Sequence, residues 1–230
     1  MASFRSADNI FHPFSRGVVA NPSQEKPRVM ALRYLFIASL FSVSPFISGC
    51  SSVSSDVQAG RNALQTGRAN DAVGYLTQAA AVDPNYKIPY RVQVSVLTYL
   101  GRAYLETGKD TEARQTLEKA VKLDNDDPLA HLYLGIAMLK TGEVERGRKE
   151  IEVGLRAIDD TLEYIQEDRI SGFYWDPNMQ IRDDIRKLLA SKTDNGQLIS
   201  ESERIGAEFD EEIDRARRDE GRRYWYLFKG

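Results

Sequence analysis

Cysteine and histidine are nearly missing from this chain, with one of the first and two of the second in 230 residues. A lone cysteine excludes an intramolecular disulfide framework and every multi-cysteine zinc or iron–sulfur site, and His12 and His131 lie too far apart to form a histidine-rich metal motif. An excess of charge is lacking too. Thirty-one basic residues against 34 acidic ones give a formal net charge of −3, without the basic surplus that a nucleic-acid partner requires. No phosphate-binding glycine loop and no nucleophile elbow is present. The carboxylate pairs Asp159-Asp160 and Asp183-Asp184 are adjacent, so on a helix they point in different directions and read as surface charge. The sequence thus reads as a non-enzyme with no catalytic residues, no metal and no bound cofactor, long enough for one domain plus extensions.

What the chain does have begins with the place of its cysteine. Residues 34–47 form an uncharged, largely apolar run of fourteen, Arg33 stands just before it, and it ends in Ile47-Ser48-Gly49-Cys50. Basic, apolar and small residues in that order describe a secretory signal. The run is shorter than the ~20 residues of a membrane span, and Pro45 weakens it as a helix. Ile47 to Cys50 resembles the lipobox of bacterial lipoproteins. That resemblance implies a signal peptide over 1–49, cleavage before Cys50 and acylation of Cys50, so that a covalent lipid such as palmitate is the only attached group. Two or three acyl chains, at about 0.8 kcal/mol per buried methylene, suffice for stable anchoring. Ser51, not aspartate, follows the cysteine, which by the same resemblance favours the outer membrane, facing the periplasm. Met30-Ala-Leu-Arg33 would make an ordinary leader by itself, so Met30 is the expected start and 1–29 an extension. Removal of 1–49 leaves 181 residues (230 − 49) and a net charge of −6, since that segment holds five basic and two acidic residues.

Three segments of the remainder align. Gly60, Gly101 and Gly135 are each followed seven residues later by Gly67, Gly108 and Gly142. Then come Ala72, Ala113 and Gly147, next Leu76, Leu117 and Ile151, and finally Ala79, Ala120 and Gly154. Small, large and small residues at helical spacing define a face in close contact with a neighbouring helix. The 34-residue spacing from Gly101 to Gly135 and the turn Asp83-Pro84-Asn85 resemble the tetratricopeptide repeat, a pair of antiparallel helices. The resemblance implies an all-α solenoid of about three helical hairpins over 56–161, after a lipidated linker at 50–55 and before a C-terminal extension at 162–230. Gly60 to Gly101 is seven residues longer than that period, and Lys87 to Gln93 is expected to lengthen the first helix of the second repeat, starting at Pro89. Val144, Ile151, Leu155, Ile158, Leu162 and Ile165 keep helical spacing, so the last repeat helix is expected to run to about Asp168.

Beyond it, Gly172 ends a helix, Asp176 is expected to cap the next with Pro177 in its first turn, and Asn195-Gly196 closes that one. Ser200-Glu-Ser-Glu203 reads as a capping box for a third helix. Ile205, Phe209 and Ile213 form a stripe suited to docking along one surface, Glu211–Arg215 and Asp214–Arg218 read as four-residue pairs, and the acidic run 209–214 reads as a solvated face. The tail carries Tyr224, Trp225, Tyr226 and Phe228 beside arginines. These residues, like Phe173 to Trp175, either pack on the repeats or anchor a protein partner.

First helices line the inside of a tetratricopeptide superhelix. That resemblance places Val57, Arg61 and Leu64, then Thr98, Arg102 and Leu105, then Leu132, Ile136 and Leu139 in a groove flanked by Tyr99 and Tyr133. Arg61 and Arg102, equivalent positions one repeat apart, suit an acidic peptide, or else pair with carboxylates of their own chain such as Glu106. The apolar third repeat is suited to being filled by the C-terminal helices. His131 reads as a packed residue. The function implied is protein binding: an adaptor or assembly factor of the bacterial envelope, similar in class to pilotins, a stoichiometric subunit docked by its aromatic tail, or an enzyme accessory.

Overall fold

The computed structural model describes residues 52–168 and 172–228, with side chains through Arg222. Cys50 and the leader lie outside the described residues, as do the side chains of Tyr224, Trp225, Tyr226 and Phe228. Three hairpins follow one another: α1 (Val53–Gln65) with α2 (Ala69–Val82), α3 (Val96–Glu106) with α4 (Asp110–Leu123), and α5 (Pro128–Lys140) with α6 (Val144–Glu167). A short 3-10 turn at Gly172–Tyr174 leads to α7 (Gln180–Ala190) and the long α8 (Asn195–Phe228). This is an all-α helical-hairpin solenoid of three repeats with a C-terminal helical extension.

The hairpin turns share one chemistry. Thr66, Thr107 and Thr141 each donate a side-chain hydrogen bond to the carbonyl four residues back, at 2.7, 3.0 and 2.8 Å. Gly67, Gly108 and Gly142 then take φ of +71, +71 and +91°, a left-handed conformation that costs glycine nothing. The amides of Arg68, Lys109 and Glu143 reach back over that turn to Ala63, Tyr104 and Met138, each at 2.8 Å, satisfying carbonyls that a helix end leaves open.

Within each hairpin the small-against-large register is in place. A Cβ at Gly60 would come within 2.5 Å of Leu76, at Gly101 within 2.3 Å of Leu117, and at Gly135 within 2.5 Å of the Ile151 backbone. Only a residue without a side chain lets the two helices approach so closely. Leu76, Leu117 and Ile151 are buried as a result, each worth about 1.5–3 kcal/mol relative to exposure. Between hairpins, α3 packs on α2 and α5 on α4. Asp127 adds a polar tie: one carboxylate oxygen caps α5 at the amides of Leu129 and Ala130 (both 3.1 Å), and the other accepts from Ser95 N (3.1 Å) and Thr98 Oγ1 (2.6 Å).

Four expectations are corrected. The insertion Lys87 to Gln93 does not lengthen α3. It forms a bent loop that folds back on itself, closed by a single antiparallel bridge between Lys87 and Ser95, and α3 begins at Val96 under the Ser95 cap. Ile88, Val92 and Val94 are buried there, so the β-branched residues gain more from tertiary burial than two helical turns would give. The second correction concerns the start of α7, which is at Gln180 rather than at Pro177. Asp176 does cap it, accepting from the amides of Ile181 and Arg182, but it reaches them across a turn with Asp176 and Met179 at φ of 43 and 58°. Third, α8 begins five residues before the expected capping box, because Asp194 accepts from Gln197 N and caps the helix first. Asn195-Gly196 therefore opens α8 instead of closing α7. Fourth, the acidic run is not a solvated face throughout, since Asp210 and Glu212 are buried. The arginine partners differ accordingly: Arg215 pairs with Glu212 and Asp219, and Asp214 pairs with Arg61.

Candidate functional site

α8 lies along the concave face. The residues predicted to line a groove, Arg61 and Leu64 on α1, Tyr99 and Arg102 on α3, and Leu132, Tyr133 and Ile136 on α5, are brought together and are all buried. Val57, Leu105 and Leu139 are buried beside them. Thr98 is buried too, but its hydroxyl serves the Asp127 tie between hairpins. Opposite this set, α8 presents Ile205, Phe209 and Ile213, each at most 2% exposed. It comes close at Gly206, where a Cβ would lie within 2.8 Å of the Tyr133 hydroxyl.

Asp210 is the centre of the arrangement. Its Oδ1 accepts from Arg61 Nη2 at 2.7 Å and from the Tyr99 hydroxyl at 2.8 Å, and Arg102 Nη1 approaches Oδ2 at 3.4 Å. Arg61 also donates to Asp214 at 2.9 Å, Gln65 supports that carboxylate at 2.9 Å, and Arg102 donates to Glu106 at 2.8 Å. The guanidinium of Arg61 stands 5.1 Å from the Tyr99 ring centroid and that of Arg102 5.8 Å from Tyr133. Burial works against the Arg61 charge, but the fields of Tyr99, Asp210 and Asp214 overcome it and hold the guanidinium above its ordinary value. Burial, with Asp210 alongside, pushes the Tyr99 phenol well up, so it stays a donor. The two arginines thus bind carboxylates of this chain. Asp210 was not singled out by sequence reasoning; the signal for it was its place directly after Phe209 of the apolar stripe of α8, where it meets both arginines.

The remote end of α8 is held by the insertion. Glu220 accepts from the Tyr90 hydroxyl at 2.7 Å and from the Trp175 indole at 3.2 Å, while Tyr90 and Trp175 stack with centroids 6.0 Å apart and Arg217 lies 5.9 Å over Tyr90. Trp175 is therefore core, whereas Phe173 is 78% exposed. His131 is held between the Glu150 carboxylate (2.6 Å) and the Asn125 carbonyl (2.9 Å), a structural bridge from α5 to α6. Beside α8 the concave face keeps a cavity of about 490 Å³ lined by Arg102, Leu105, Glu106, Tyr133, Lys140 and Glu203, among others. No helix among the described residues is long and apolar enough to cross a membrane.

Residues 101–142 match the family described as TPR repeat, a span that runs from the middle of α3 to the turn after α5. No curated protein matches the chain. The repeat is a protein-interaction fold, usually without enzymatic activity, and its partners are proteins.

Proposed function

We propose that the chain is a lipid-anchored adaptor or assembly factor, tethered through Cys50 to the periplasmic face of a bacterial outer membrane and binding protein partners of an envelope complex. The observation that supports this reading most is the juxtaposition of a lipobox-like sequence with a protein-interaction solenoid. Only Ser51 separates Cys50 from Ser52, the residue that caps α1. An acylated Cys50 would hold the solenoid within about 10 Å of the headgroups, since an extended residue spans at most ~3.6 Å. Mass spectrometry of the protein extracted from its native membrane tests the anchor, expecting a mature chain that starts at Cys50 and carries acyl groups. Unacylated protein free in the periplasm overturns it. Affinity purification of the same extract identifies the partner.

A second reading, a stoichiometric subunit docked through Tyr224, Trp225, Tyr226 and Phe228, is favoured by the continuity of α8, which stays helical to Phe228, beyond the Glu220 contacts. Deleting residues 222–230 separates the two. Loss of the partner with the fold retained makes the tail an interface, and unchanged capture leaves the adaptor reading in place.

A further inference from the structure

The occupant of the concave face satisfies it incompletely. Tyr133 Oη and Arg61 Nε on the receptor side and Ser202 Oγ on α8 are buried without a hydrogen-bond partner, so three of the five such side-chain atoms among the described residues lie in the contact between α8 and the repeats. Buried polar groups are ordinarily paired, and each exception calls for a reason. The cavity of about 490 Å³ opens beside two of the receptor residues, Tyr133 and Arg102. The recognition that α8 does achieve is specific: an aromatic and an aliphatic anchor, Phe209 and Ile213, each followed at once by a carboxylate, Asp210 and Asp214, that meets a buried arginine.

We infer that α8 is an exchangeable internal ligand of the concave face, and that the partner which displaces it is an acidic amphipathic helix bearing an aromatic–carboxylate pair and, one turn later, an aliphatic–carboxylate pair. This rests on the adaptor reading and names the site and chemistry of its partner. A tethered helix acts at an effective concentration of order millimolar, so a partner gains by meeting the atoms α8 leaves open. Each hydrogen bond newly made to Tyr133 Oη or Arg61 Nε is worth roughly tenfold in affinity. Arg61, Tyr99 and Arg102 keep their roles through the exchange, because one carboxylate replaces another.

The test uses the full chain with Asp214→Asn, a partly exposed position whose loss weakens the tether, and with Asp210→Asn as the stronger variant; circular dichroism checks that each retains its helices. The probe is a synthetic peptide with the sequence of residues 200–219, followed by hydrogen exchange of the protein's own α8. At sub-millimolar peptide the amides of 200–216 are expected to exchange at least tenfold faster while α1 to α6 remain protected. The same peptide with asparagine in place of Asp210 and Asp214 is expected to have no effect. Unchanged protection of α8 at several millimolar peptide, in the variants and in the unsubstituted chain, overturns the inference and makes α8 permanent core. Equal action of the two peptides overturns the carboxylate recognition, and dimers that form regardless of peptide assign the groove to a second copy instead. A native partner captured equally by Arg102→Met and unsubstituted protein leaves the adaptor reading standing and removes only this site.

Discussion

Arg61 and Asp210 stand 149 positions apart in the chain and 2.7 Å apart in space, with neither side chain exposed. The pair joins the first repeat to the last helix, and Tyr99 and Arg102 of the second repeat complete it. Desolvating two charges costs several kcal/mol, and here the remaining lone pairs of the carboxylate are met by other donors, the condition under which a buried pair is tolerated.

Replacing Asp210 by alanine leaves a buried guanidinium and a buried phenol without their acceptor. The expected loss is about 3–5 kcal/mol, read as a lower midpoint in urea with helix content retained below it. Arg61→Met combined with Asp210→Leu is expected to recover much of that loss, because the cost lies in the orphaned charge. A single-variant loss below about 1 kcal/mol would mean that α8 is held by its apolar stripe alone.

Gly101 tests the close approach within a hairpin. A Cβ there would lie 2.3 Å from Leu117 Cγ, in a site with no free volume, so Gly101→Ala is expected to cost about 1–3 kcal/mol. Leu117→Ala alone should cost about 2–5 kcal/mol, and the double variant less than the two losses added, since the new methyl fills part of the space vacated. Gly74 is the control. Nothing lies within 4 Å of its hypothetical Cβ, and alanine there is expected to stabilise α2 by about 0.5–1 kcal/mol. Urea midpoints of the four variants decide the matter.

The three repeats were legible because their signal is local: Gly60, Gly101 and Gly135 meet Leu76, Leu117 and Ile151 at a fixed sixteen-residue separation. The stripe of Ile205, Phe209 and Ile213 was legible for the same reason. Its destination was legible in part, from the apolar third repeat, but its ion pairs were not, because the arginines that receive Asp210 and Asp214 belong to helices more than 100 residues away. The insertion at 87–93 was misread because seven residues fit two helical turns as well as they fit a loop. Its preference is set by partners invisible locally, Trp175 and Glu220 for Tyr90. Ser200 to Glu203 satisfied the capping pattern, but Asp194 supplied a cap earlier in the chain and turned the pattern into helix interior.

Asp127 makes the second hairpin depend on the third. Burial pushes its pKa up to about 6, against donors that all favour the carboxylate. An acid whose folded pKa exceeds its unfolded value of about 3.8 takes up its proton earlier in the folded state. Its contribution is therefore greatest below that unfolded value and declines as pH rises toward 6. Asp127→Asn is expected to abolish this slope, which urea titrations between pH 4 and 7 would show. It also turns an amide toward Ser95 N, for a loss at pH 7 of about 1–2 kcal/mol. A slope that persists in the variant assigns it to another group.

His131 titrates in a higher window. The Asn125 carbonyl can only accept, so Nε2 carries a proton, and the Glu150 carboxylate 2.6 Å from Nδ1 draws a second one. The hydrogen bond that Nδ1 donates to Glu150 raises the pKa, burial opposes it, and the balance lies above the ordinary value of 6.5. A histidine with a raised folded pKa stabilises fully below its unfolded value, and that contribution is lost as pH rises through the folded one. Melting temperature is therefore expected to fall as pH rises above about 6.5 in the unsubstituted protein, and to be flatter there in His131→Phe. The histidine ring resonance absent from that variant should titrate above 6.5. A midpoint at or below 6.5 would show that the imidazolium bridge between α5 and α6 does not form in solution.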